Sequence, residues 1–142
     1  MFEIVVVGAD GSPTAGEAFR TAMELVRSSG GTLHVVMAYK GSVTSTEGLP
    51  DEFIDGVGPA SRASALLDDL ASRARALGVK AVTHALKDDP TDAIIGVAES
   101  EGADLIVVGN KGMKGVRRML GSVPNGVAHR APCSTLIVQT TS

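Results

Sequence analysis

Two tetrads of the chain, IVVV at 4–7 and LIVV at 105–108, hold nothing but aliphatic residues. A strand with one face in water alternates apolar and polar positions, so a run that is apolar throughout needs cover on both faces. Such cover is typical of parallel sheets, whose strands are joined by crossover helices. Within FEIVVVGA and ADLIVVG these tetrads form the first and fourth of five β-branched runs, the others being TLHVVMAY, VKAVTHAL and STLIVQT. Helical patterns lie between them. Ser12 as N-cap and Pro13 at the first helical position predict a helix to about Ser29, ended by Gly30-Gly31. A second runs from about Ala60 to Leu77 and stops at Gly78, and Asp89-Pro90 opens a third that continues to about Glu101. A short fourth begins near Ser122. The alternation predicts an open α/β sheet.

A length of 142 residues predicts one domain, residues 1–142. Aromatics are only 3%, so Val, Leu, Ile and Ala must fill the core. The net charge of -3 argues against nucleic acid or an anionic membrane as a broad partner. No apolar run approaches the ~20 residues that span a bilayer, and MFEIVVVGAD carries no basic leader. A cytoplasmic location is the expectation. Cys133 is the one cysteine, which excludes an internal disulfide, fits a reducing compartment and reads as a packed small residue. Residues 41–59 are rich in Gly, Ser, Thr, Asp and Pro, and read as a long loop after the second strand, either a lid or a tolerated insertion.

The segment GNKGMKGVRRMLGS, 109–122, has four glycines, four cations and no acid. Together with GADGS after the first strand, it gives two glycine-bearing strand exits. In a doubly wound sheet the ligand crevice opens where the winding reverses, between the ends of adjacent strands. Gly109 and Gly112 allow close backbone approach, and the helix beginning at Ser122 offers amide groups and partial positive charge to an anion. Lys111, Lys114, Arg117 and Arg118 add charge nearby. A solvated basic loop before a capped helix explains the same residues. Neither a Walker A loop nor G-x-G-x-x-G is present. Catalytic signals are missing too: His34, His84 and His129 are scattered without metal-ligand spacing, and there is no G-x-S-x-G elbow. The chain reads as a binding module, not an enzyme.

In VVVGADGS, LHVVMAY, DDPTDAI, ADLIVVGNKG and LGSVPNGVAHRAPCSTLIV, taken in order, the chain resembles the universal stress proteins over nearly its whole length. The resemblance implies a Rossmann-like fold akin to the adenine nucleotide alpha hydrolases: a five-stranded parallel sheet of order 3-2-1-4-5 with helices on both faces. It also implies ATP bound across the first and fourth strand ends, in a stress-response signalling module. Gly8, Ala9 and Asp10 would then flank adenine and ribose, with Asp10 reaching a ribose hydroxyl or a Mg²⁺ shell. Equally, Asp10 fits an Asp-Gly turn that caps the first helix. Met37 and Ala38 would line the adenine slot. Gly109, Gly112, Gly121, Ser122 and Val123 would hold ribose and phosphates through main-chain N–H groups. Two departures stand out. Eight residues rather than nine separate Gly112 from Gly121, and Asp88 stands where many members have glycine. The same resemblance implies a homodimer through the last strand, Ser134–Thr140, and an unidentified protein partner. Cyclic AMP in the same slot, a nucleotide-free dimeric interaction protein, and an enzyme related to other adenine-binding α/β proteins are the alternatives.

Overall fold

The computed structural model describes residues 2–40, 58–110 and 120–139. In chain order the elements are β1 (Ile4–Gly8), α1 (Pro13–Ser29), β2 (Thr32–Tyr39), α2 (Pro59–Ala76), β3 (Lys80–Lys87), α3 (Pro90–Glu101), β4 (Leu105–Asn110), α4 (Ser122–Arg130) and β5 (Ser134–Gln139). The strands form one five-stranded sheet of order β3-β2-β1-β4-β5, with every pairing parallel. The expected order 3-2-1-4-5 is therefore the one observed.

The aliphatic tetrads are explained by two cores, one on each face. Successive side chains of a strand point to opposite faces. Val5 and Val7 of β1 pack with Leu105 and Val107 of β4 under α1 and α2, where Phe19, Val26 and Leu67 are buried. Val6 of β1 packs with Ile106 and Val108 of β4 under α3 and α4, against Ile94, Val97 and Val127. Val5, Val6 and Val7 are all at 0% exposure, and burying each contributes roughly 1.5–3 kcal/mol. A polar residue at any of the three would be stranded in a core.

The helix boundaries follow the capping signals. The Ser12 side chain accepts a hydrogen bond from the Ala15 N–H, and Asp89 accepts from the Thr91 and Asp92 N–H groups. Gly30 and Gly102 close α1 and α3 in the left-handed region, at φ 78° and 66°, which costs glycine little because it lacks a Cβ. The second helix is displaced by one residue from its expected span: it starts at Pro59, and Leu77 is its C-cap. Asp104, just before β4, accepts hydrogen bonds from the Glu3 and Ile4 N–H groups at 2.8 and 3.2 Å, tying the start of β1 to its neighbour. Most of the long segment 41–59 lies outside the described residues.

Candidate functional site

β1 and β4 are hydrogen-bonded neighbours, registered Val5 to Leu105, Val6 to Ile106 and Val7 to Val107. From β1 the chain winds outward through β2 to β3, and from β4 to β5 on the other side, so the winding reverses between them. A cleft of about 240 Å³ opens at their carboxyl ends. Its lining comes from five places in the sequence: the β1 exit with the start of α1, the end of β2, the start of α3, the end of β4, and the start of α4.

Each wall has a local cause. Val36 and Ala38 of β2, Val108 of β4 and Ile94 of α3 provide apolar surface. Gly8 keeps the β1 exit clear: a Cβ there would stand 2.7 Å from Ile94 Cδ1. After Gly8, the Ala9 N–H donates to the Val36 carbonyl at 2.8 Å, carrying the sheet ladder one residue beyond β1. Asp10 follows, exposed, with its Oδ1 accepting from the Ser12 N–H at 2.9 Å. That bond is the turn closure anticipated for an Asp-Gly pair, and it uses one of the roughly four acceptor positions of a carboxylate. Asp10 is the only ionisable group among the described lining residues.

The opposite wall is set by Asn110, the last residue of β4. Its side chain is wholly buried and its Oδ1 accepts the Gly121 N–H at 2.9 Å. Gly121 is the N-cap of α4 at φ -65° and ψ 172°, and its carbonyl accepts the first helical bond, from Asn125. Ser122 and Val123 belong to the first turn, where helix amides have no acceptor within the helix, and Pro124 has no N–H to offer. The start of α4 thus presents two amides and the Ser122 hydroxyl to the cleft. The expectation that Gly121 itself would donate to a ligand is corrected here, because its N–H is committed to Asn110.

Of the residues singled out in the sequence, Gly8, Ala9, Asp10, Ala38, Gly109, Gly121, Ser122 and Val123 all line the cleft. Met37 does not. Strand alternation turns its side chain to the other face of β2, where it is buried in the core beneath α1 and α2 with Val5, Val7 and Val35. Gly112 and the four loop cations lie outside the described residues. Asn110 and Val36 were missed. Alternation outward from Ala38 would have found Val36, and the position of Asn110 between two strand-exit residues was the signal for it.

The expectation of scattered histidines is also corrected. His34 of β2 and His84 of β3 are fifty positions apart, yet His34 Nδ1 and His84 Nε2 lie 2.9 Å apart and their rings stack with centroids 5.2 Å apart. Both histidines are held below the ordinary imidazole range by burial. The neighbouring His34 pushes His84 further down, and Glu101 opposes the shift at both rings. Cys133 is half-buried against the core beneath α3 and α4, as a packed residue should be. Burial, with Asp104 adding negative charge, pushes its thiol up. No helix among the described residues is long and apolar enough to cross a membrane.

A sequence profile of the universal stress protein family matches residues 1–139. Universal stress protein Rv1636 of Mycobacterium tuberculosis is 35% identical, over 99% of this chain and 98% of its own. A solved universal stress protein in complex with cAMP is 32% identical with a TM-score of 0.76, over 99% of this chain and 98% of that one. A universal stress protein of Archaeoglobus fulgidus solved in complex with dAMP is 25% identical with a TM-score of 0.68, over 97% and 98% of the two chains.

Proposed function

The chain belongs to the universal stress protein family, and from that premise we propose that its cleft binds an adenine nucleotide and that the protein signals by its nucleotide state. The observation that carries the proposal is the convergence of the two strand exits and the α4 start on one cleft at the reversal of the winding. Binding there requires an apolar slot for a planar base, an acceptor for sugar hydroxyls and donors for an anion. Val36, Ala38, Ile94 and Val108 supply the first, Asp10 the second, and the Ser122–Val123 turn the third. The volume of about 240 Å³ falls just under the roughly 300–1,000 Å³ of small-molecule sites, which favours a mononucleotide over a dinucleotide.

Two ligands compete for this reading. The related structure that holds cAMP favours a cyclic nucleotide. ATP is the alternative, with Mg²⁺ held in part by Asp10. A Mg²⁺ ion takes oxygen ligands and keeps several waters, so a single exposed carboxylate suits a shared, phosphate-completed shell and not a resident ion. When bound, the ion would neutralise phosphate charge beside that carboxylate. No nucleophile with a paired base stands among the described lining residues, and the module is proposed to bind without turning over its ligand.

The working form is proposed to be a cytoplasmic homodimer. β5 is a sheet edge whose Leu136 is 37% exposed, and an apolar edge of this kind is protected by pairing with a second copy. Sedimentation at micromolar concentration is expected to give a dimer; a monomer contradicts it.

Calorimetric titration with cAMP, with AMP, and with ATP in the presence and absence of Mg²⁺ tests the ligand. Mass spectrometry of any small molecule released on denaturing the fresh protein tests it independently. Saturable binding of one of the three supports the proposal. No binding of any at millimolar concentration, with nothing released, favours a nucleotide-free interaction protein.

A further inference from the structure

We propose that His34, His84 and Glu101 form a binding site for a divalent transition-metal ion of the Zn²⁺ class, between the β2–β3 pair and the last turn of α3. Three elements build it. In the β2–β3 register His34 stands beside Val82 and His84 beside Val36, so the two histidines are diagonal neighbours on one face of the sheet. That face is covered by α3, which runs back over the sheet from the cleft-lining Ile94 to Glu101 at its last turn. One ring nitrogen of each histidine and a carboxylate oxygen of Glu101 all lie within 4.8 Å of one another.

The spacing suits an ion. Nitrogens about 2.1 Å from a zinc ion lie roughly 3.0 Å apart at a right angle and roughly 3.4 Å apart in a tetrahedron. The facing nitrogens, at 2.9 Å, reach either arrangement by ring movements of about half an ångström or less. Two imidazoles and one carboxylate are the donor set of open zinc and related transition-metal sites, whereas Mg²⁺ and Ca²⁺ take oxygen ligands. Burial lowers the pKa of both rings, which favours the neutral form that ligates. The facing nitrogens share one hydrogen bond, and an ion between them requires that proton to move to the nitrogen turned away, leaving a lone pair from each ring. Glu101 ends α3, whose carbonyl terminus carries partial negative charge, so a cation is favoured there from two sources. His34 is buried and His84 half-buried while Glu101 is exposed, which leaves an entry path on the carboxylate side and room for water or a fourth ligand. A bound ion would clamp the edge strand β3 and its neighbour β2 to the end of α3.

The test is calorimetric titration of the chelator-treated full chain with Zn²⁺, paired with ¹H–¹⁵N spectra of the imidazole side chains. One equivalent is expected to bind with micromolar or tighter affinity, to raise Tm, and to shift His34 Nδ1 and His84 Nε2; Mg²⁺ does none of these. His84→Gln and Glu101→Gln are each expected to weaken Zn²⁺ by at least about tenfold, since losing even a group behind a ligand costs about 10–100-fold. Glu101→Gln is an exposed change at a helix end, so it decides the matter even where His84→Gln fails to fold. The proposal is overturned by the absence of saturable Zn²⁺ binding, by undiminished affinity in Glu101→Gln, or by ion-induced shifts at His129 with none at His34 and His84.

Discussion

Asn110, buried at the end of β4, accepts the Gly121 N–H at 2.9 Å across eleven positions of sequence, and so fixes where α4 begins relative to the sheet. The residues that follow, Ser122 and Val123, line the cleft from the helix start that this bond ties to the sheet. Asn110→Ala leaves a cavity and an unpaired amide. It is expected to lower stability by about 1–3 kcal/mol and to weaken nucleotide binding. Chemical denaturation and calorimetry on the same variant check both, and unchanged affinity would separate Asn110 from the site.

Gly121→Val separates folding from binding. Position 121 has an ordinary backbone geometry, and a Cβ there would meet Asn110 Oδ1 at 3.4 Å and Pro124 at 3.7 Å. The fold is expected to lose only about 1 kcal/mol, the usual effect of a poorer N-cap residue. The branched side chain would stand beside the amides presented to the ligand, and nucleotide affinity is expected to fall at least tenfold. Wild-type affinity with wild-type Tm would refute the assignment of the anion end.

Gly126→Ala tests how closely α3 and α4 are packed. A methyl at Gly126 would lie 2.9 Å from Thr91 Cγ2 and 3.1 Å from its Oγ1. Thr91 is β-branched and stiff, so relief requires the helices to separate. A loss of roughly 1–3 kcal/mol is expected, as for other overpacked sites, measured by thermal or urea unfolding. A neutral substitution would show that the contact gives way at no cost.

Cys133 yields a pH prediction with a definite sign. Its thiol is raised in the fold by burial and by Asp104, so at alkaline pH the unfolded chain releases that proton before the folded one. The stability linked to this group is complete below the ordinary thiol value and is lost as pH climbs through the raised one. Alkylation at mildly alkaline pH is expected to be slower for the native protein than for the urea-unfolded chain, because the thiolate is the nucleophile. Equal rates would place the thiol in water.

Much of the fold was legible because its signals are local. The two all-aliphatic tetrads announced cover on both faces, and the Ser12-Pro13 and Asp89-Pro90 pairs marked two helix starts to the residue. Residues that depend on a partner far away in the chain were not legible. Met37 and Ala38 are adjacent in sequence but face opposite cores, and only alternation counted from a known inward residue tells them apart. The contact of His34 with His84 exists because β2 and β3 pair in one particular register, which a separation of fifty positions does not reveal. Asn110 looks like part of a polar loop until its burial and its partner are seen.

The most direct test of nucleotide binding is a backbone amide chemical-shift titration of the ¹⁵N-labelled protein with cAMP and with Mg²⁺–ATP. Saturable shifts centred on Gly8, Ala9, Asp10, Val36, Ala38, Ile94, Val108, Gly109, Ser122 and Val123, with Met37 and the β3 edge less changed, are the predicted result. Shifts that never saturate, or that cluster away from the junction of β1 and β4, would contradict it.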